Sequence, residues 1–262
     1  MEKEVNVKVV FPNMVTMMAL AFGVSSINMS LWGKWEMAVL CVVLAALFDF
    51  MDGKVARLLG VSSKFGAELD SLSDFVSFGV APGLLMYQWT MDPVMRIQAM
   101  YNVAYKPSAV GVSWAIALFL AMCCATRLAR FNTLLDEKQP DYWTHFFMGV
   151  PAPAGGGLAM LPLIMWLAFD KVMFFRHPIF VSCFMIFAGV MMVSRVPTLS
   201  LKHMHIKKDY TSLLAIAGIC LITALLTFPW ITFSVVGLLY LFSIPACVVF
   251  FLKLKKKTQK VK

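Results

Sequence analysis

The chain has 262 residues, 60% hydrophobic and 14% charged, with a formal net charge of +9. A composition so apolar excludes an ordinary soluble domain, and with no supporting motif the basic excess does not point to a nucleic-acid partner. All six cysteines (Cys41, Cys123, Cys124, Cys183, Cys220, Cys247) fall within apolar runs and none forms a CxxC, so they read as small buried hydrophobes, not disulfides or metal ligands.

The apolar runs approach the ~20 residues that cross a bilayer. They predict an all-α integral membrane protein of about eight transmembrane helices, near residues 13–30, 34–57, 68–89, 110–131, 150–169, 177–195, 210–228 and 231–252. If the acid-rich loop lies inside, 18 of the 23 Lys and Arg share its side and 5 fall on the other. That bias follows the positive-inside rule. It predicts a multi-pass protein of the inner (cytoplasmic) membrane, with both termini and the acid-rich loop on the cytoplasmic side. The organisation expected is one membrane-embedded catalytic domain over 1–262. It comprises an interfacial segment (1–12), a helical core (13–209), an additional C-terminal helix pair (210–252) and a basic tail (253–262). The tail, KLKKKTQKVK, is attracted to anionic membrane lipid.

In chain order, residues 1–11 mix charged and apolar side chains and are expected to lie along the membrane surface. Pro12 is acceptable near the start of the first span. Asn13 and Thr16 are i,i+3 on one helix face at the cytoplasmic end, where helix capping competes with a ligand role. The second span carries Asp49 and Asp52. At ~1.5 Å per residue, Asp49 lies ~12 Å from its cytoplasmic end, so a site there is shallow enough for a lipid to keep its tails in the bilayer.

Residues 49–74, DFMDGKVARLLGVSSKFGAELDSLSD, hold four carboxylates in two pairs. Asp49 and Asp52 are i,i+3 neighbours, Asp70 and Asp74 are i,i+4, and each pair shares one helix face. Insertion of one Asp at a bilayer centre costs roughly 2.5–3.5 kcal/mol, so four cost on the order of 10 kcal/mol unless compensated. Hard oxygen donors without nearby His or Cys favour Mg²⁺, Mn²⁺ or Ca²⁺ as the compensation. Gly53 and Ala56 prolong the first acid face and let a flat ligand approach the backbone. Gly66, one turn before Asp70, keeps the facing wall low. Arg57 and Lys64 place cations at the mouth, where a phosphate needs them. Composition alone leaves two readings open, a diphosphate site and an ion or proton pathway.

Beyond the acids, Asp70, Asp74, Ser77 and Ala81 follow one helical stripe, which would turn Ser77 into the cleft; bonding to a backbone carbonyl is the alternative. Pro82-Gly83 is expected to kink this helix. Arg127 and Arg130 are i,i+3 at the same membrane level and read as a carboxylate or phosphate site, against snorkelling to the interface. The run FMGVPAPAGGG at 147–157 reads as close helix packing. His145 reads as interfacial, and the His203/His205 pair is a weak metal signal.

The acid-rich stretch fits D-x2-D-G-x2-A-R-x8-G-x3-D-x3-D without a gap and so resembles the signature of the CDP-alcohol phosphotransferase family. The resemblance implies that Asp49, Asp52 and Asp70 hold two metal ions, Mn²⁺ or Mg²⁺. It implies too that Asp74 lies beside the second metal and acts as the base. It also implies that Gly53, Ala56, Arg57 and Gly66 shape the nucleotide and diphosphate site, beside the first-helix PNMVT with Asn13 and Thr16, with Lys64 at its mouth on the charge reading above. SDFVSFGVAPG, RLARFN, the F-x-G-x-P-x-P of 147–153 and SRVPTLSLK resemble the bacterial and archaeal branch that uses serine. The expected reaction is phosphatidyl transfer from CDP-diacylglycerol to L-serine with release of CMP, Arg127, Arg130 and Ser77 holding the serine or a lipid phosphate. Choline, glycerol 3-phosphate or inositol phosphate as acceptor is the alternative within the family, and a divalent-cation transporter the alternative outside it. The resemblance further implies a homodimer.

Overall fold

The computed structural model describes residues 7–61, 63–101, 107–134, 146–199 and 211–259. They are nearly all helical: α1 (Val7–Leu31), α2 (Trp35–Leu58), α3 (Lys64–Asp74), α4 (Ala81–Tyr101), α5 (Pro107–Leu134), α6 (Ala152–Ala168), α7 (Pro178–Val193), α8 (Thr211–Thr227) and α9 (Pro229–Gln259). A π-helical segment, Phe75–Val80, joins α3 to α4 without a break in helical backbone. The described residues therefore form eight continuous rods, one for each apolar run of the sequence. Val10–Leu31, Gly111–Thr133 and Pro229–Lys253 are each long and apolar enough to cross a membrane, and three further apolar helices are shorter. Large apolar side chains face outward, among them Leu226 (81% exposed) and Phe242 (71%), as lipid contact requires and water does not tolerate.

α6 is buried along most of its length because its small residues let neighbours come close. A Cβ on Gly156 would sit 3.0 Å from the Phe78 carbonyl oxygen, and one on Gly155 would sit 2.5 Å from Met192 Sδ. Within the run at 147–157, Gly155 and Gly156 thus serve helix packing. α1 packs along α2, and the short link between them makes the two antiparallel.

On the side of the bundle away from the acids, Pro93 has no N–H to offer the Trp89 carbonyl, its partner in a regular helix. Arg176 supplies the missing donors: Nε and Nη2 lie 3.0 and 2.7 Å from that oxygen. The guanidinium is 5.5–6.0 Å from the rings of Trp89, Trp166 and Trp35, a favourable cation–π setting.

Three details depart from expectation. α1 begins at Val7, so the described part of the interfacial segment is already helical and Pro12 sits in the second turn. There it removes one hydrogen bond. A two-stranded antiparallel ribbon pairs β1 (Phe146–Met148) with β2 (Pro197–Leu199). Gly149, at φ +74°, leads from it into α6, where a Cβ would meet the Ser194 carbonyl oxygen at 2.7 Å. At Pro82 the chain absorbs the missing N–H in the preceding π turn, with Ala81 N–H donating to Val76 O, and the helix continues. His145, His203, His205 and the lysines at 138, 202, 207 and 208 lie outside the described residues.

Candidate active site

The turn between α2 and α3 brings the two acid pairs together, and local chemistry dictates it. Gly60 takes φ +62° as the left-handed residue that ends α2. Val61 N–H then reaches Ala56 O (3.0 Å) and Gly60 N–H reaches Arg57 O (3.2 Å), the bond pair of a Schellman motif. Ser63 comes next in extended geometry as the N-cap of α3, its Oγ accepting from Gly66 N–H at 2.9 Å, the role serine favours. Between the two caps the chain reverses, and α2 and α3 present their carboxylates to one another.

One oxygen from each of Asp49, Asp70 and Asp74 lies within 4.8 Å of the other two. The Asp49 and Asp74 carboxyl groups are within hydrogen-bonding range of each other, and Asp74 Oδ1 is buried with no hydrogen-bond partner among the described residues. Asp52 is buried too and accepts from Thr16 Oγ1 at 2.6 Å. At an effective dielectric constant of about 20, two ionised carboxylates 4.8 Å apart repel by about 3–4 kcal/mol. A shared proton or a bound cation relieves that repulsion. All the donors are carboxylate oxygens, which suits hard divalent cations and not thiophilic ones, so the residues present fit such ions.

Beside the acids a cavity of about 180 Å³ is lined by Pro12, Asn13, Thr16, Asp52, Gly53, Ala56, Val61, Ser63, Gly66, Ala67 and Asp70. Its two glycines differ in cause. A Cβ on Gly66 would lie 2.9 Å from Asn13 Oδ1 and 3.0 Å from Ser63 Oγ, so packing accounts for glycine there. A Cβ on Gly53 would meet nothing within 4 Å, yet glycine inside a helix costs about 1 kcal/mol relative to alanine. Packing does not account for Gly53.

Arg57 and Lys64 do not line this cavity. Both are exposed, each next in the chain to a wall residue, and Arg57 Nε donates to Gly53 O at 2.9 Å. Ser77 is not in the cleft. It is fully buried and its Oγ donates to Ala19 O of α1 at 3.3 Å. The expected stripe assumes regular α-helical turns, whereas the π segment begins at Phe75 and its wider turn rotates the residues beyond it. The two arginines also separate. The Arg127 guanidinium lies within electrostatic reach of Asp74 and Asp49, with its Nε buried and unpartnered among the described residues. Arg130 Nη1 donates at 2.6 Å to Val193 O, the last residue of α7, and so serves a helix C-terminus as cations commonly do.

Several contributors escaped the sequence reading. Ser63 carries a recognisable signal, an N-cap serine before a helical run. Asn132 of α5 donates to Ser71 Oγ of α3 at 3.0 Å, and Tyr240 of α9 stands near Arg127 and Thr198. These depend on tertiary packing and have no local signature.

The family model for CDP-alcohol phosphatidyltransferases matches residues 9–252. The CDP-diacylglycerol–serine O-phosphatidyltransferase of Mycobacterium leprae (strain TN) is 31% identical over 237 residues, covering 90% of this chain and 73% of that protein. The protein of the same name from Helicobacter pylori (strain ATCC 700392 / 26695) is 32% identical over 192 residues, 73% of each chain. The archaetidylserine synthase of Methanothermobacter thermautotrophicus is 32% identical over 154 residues, 58% of this chain and 57% of that protein. Given a match spanning nearly every described helix, this chain belongs to the CDP-alcohol phosphatidyltransferase family.

Proposed function

We propose that this membrane protein transfers the phosphatidyl group of CDP-diacylglycerol to the hydroxyl of L-serine, forming phosphatidylserine and releasing CMP. The names of the relatives support serine as acceptor. One juxtaposition carries the reading: two acid pairs on adjacent helices meet beside a cavity whose Gly53 wall is bare for no packing reason.

Asp49, Asp52 and Asp70, with Asp74 alongside, would hold two divalent ions, Mn²⁺ or Mg²⁺, whose charge neutralises the diphosphate oxygens during displacement at phosphorus. The cavity between Asn13, Thr16, Gly53, Ala56 and Gly66 takes the cytidine diphosphate head, and Arg57 and Lys64 draw its phosphates to the mouth. Thr16 keeps Asp52 oriented through its short hydrogen bond. The serine oxygen forms the new P–O bond as the bond to the CMP oxygen breaks, and the hydroxyl proton passes to Asp74. A free aspartate, with a pKa of about 3.9, is a weak base, so this role falls to the member least engaged by metal. Arg127 faces the serine carboxylate; Arg130 and Ser77, committed to backbone carbonyls, have no part in it. The reading places the acid-rich turn and both termini on the cytoplasmic side of the inner membrane, on the Lys/Arg bias. A homodimer among membrane lipids rests on the family resemblance.

The test is CMP release by purified protein in detergent with CDP-diacylglycerol and Mn²⁺, each acceptor supplied in turn. Serine-dependent release is expected. Release with choline, glycerol 3-phosphate or inositol phosphate but not serine would overturn the acceptor. Metal uptake into vesicles without any CMP release would make the protein a carrier.

A further inference from the structure

At the edge of the cation cluster, three polar atoms from three different helices are buried without hydrogen-bond partners among the described residues: Asp74 Oδ1 (α3), Arg127 Nε (α5) and the Tyr240 hydroxyl (α9). The Arg127 guanidinium lies within electrostatic reach of both the Asp74 carboxylate and the Tyr240 phenol. α9 packs on α6 and on β2, which carries Tyr240 inward beside Thr198. The Thr198 hydroxyl donates its proton to Gly149 O at 2.7 Å, so toward the neighbouring phenol it can only accept. Buried polar groups are ordinarily paired, so three such orphans within electrostatic reach of Arg127 point to a missing partner. Arg127 Nε only donates, the phenol donates or accepts, and the Asp74 oxygen accepts. The complement is a small molecule with an anionic end for the two donors and a hydroxyl for the carboxylate.

We propose that Tyr240 is a substrate-binding residue for the acceptor, its hydroxyl and Arg127 Nε together taking the serine carboxylate while the serine hydroxyl faces Asp74. The assignment rests on serine as the acceptor and gives the C-terminal helix pair a task, since α9 supplies one side of the acceptor subsite. Choline, which has no carboxylate, leaves both donors unpaired, and a site built around buried donors discriminates strongly against such a molecule.

Tyr240→Phe removes one oxygen and keeps the ring. Loss of a buried, unpartnered hydroxyl does not threaten the fold. The expected result is an unchanged thermal midpoint, an unchanged KM for CDP-diacylglycerol and a KM for L-serine raised about ten-fold or more, the size of a lost hydrogen bond to a charged group. With serinamide, which lacks the carboxylate, as competing acceptor, the preference for serine should narrow by the same factor. An unchanged serine KM, or an equal loss with serine and serinamide, would overturn the assignment. Wild-type protein that releases no CMP with serine would overturn the functional reading and this one with it. Serine-dependent wild-type turnover beside an unaffected Tyr240→Phe would overturn this one alone.

Discussion

Gly53→Ala should make the protein more stable and less active. The added Cβ meets no atom within 4 Å, so the helix gains the propensity difference of about 1 kcal/mol, a rise of roughly 2–4 °C in thermal midpoint for a chain near this size. The same methyl enters the cavity beside the acids. A diphosphate lying on that backbone is pushed off by about 1 Å, and displacement of that order costs about 100-fold in rate. Gly66→Ala is the contrast, because its Cβ would crowd Asn13 Oδ1 at 2.9 Å and Ser63 Oγ at 3.0 Å and so lowers stability as well. Thermal unfolding and CMP release measured on one detergent preparation separate the two effects. Gly53→Ala with wild-type turnover and a wild-type KM for CDP-diacylglycerol would refute the inference that a ligand, and not packing, accounts for glycine there.

Asp74→Asn should abolish turnover while CDP-diacylglycerol still binds; wild-type turnover would remove Asp74 as the base. Arg127→Ala should raise the serine KM. Arg130→Ala should instead cost about 1.5–3 kcal/mol of stability, the worth of a charged hydrogen bond, here to the end of α7. Equal effects of both on the serine KM would mean that the arginines act as a pair after all. Gly23→Ala places a Cβ 2.9 Å from Ser77 Cα and should destabilise by about 1–3 kcal/mol through overpacking. An unchanged thermal midpoint would show that α1 and the π segment are not in contact.

The fold was legible where composition alone decides it. Each apolar run became a helical rod, and the spacings of Asp49/Asp52 and Asp70/Asp74 placed each pair on one helix face. Residues that depend on a departure from regular α geometry were misplaced for that reason. Ser77 lies past the start of a π turn that no periodicity count anticipates, and a wider turn moves it from the cleft to the Ala19 carbonyl. Arg130 shares a helix face with Arg127, but the end of α7, distant in sequence, claims its guanidinium. Tyr240 could not be found from sequence at all, because nothing local to α9 marks one tyrosine among many apolar neighbours as facing Arg127. Ser63 was readable as an N-cap and shows that the turn between the acid pairs has its own local code.

The central claim, that carboxylates of neighbouring helices gather cations which then grip a diphosphate, is tested most directly by binding of CDP-diacylglycerol to purified protein with Mn²⁺ present and after its removal by chelation. The account predicts binding that depends on the metal, restored by Mn²⁺ or Mg²⁺ and lost in Asp49→Asn. Equally tight binding without any divalent cation, in wild type and Asp49→Asn alike, would contradict it.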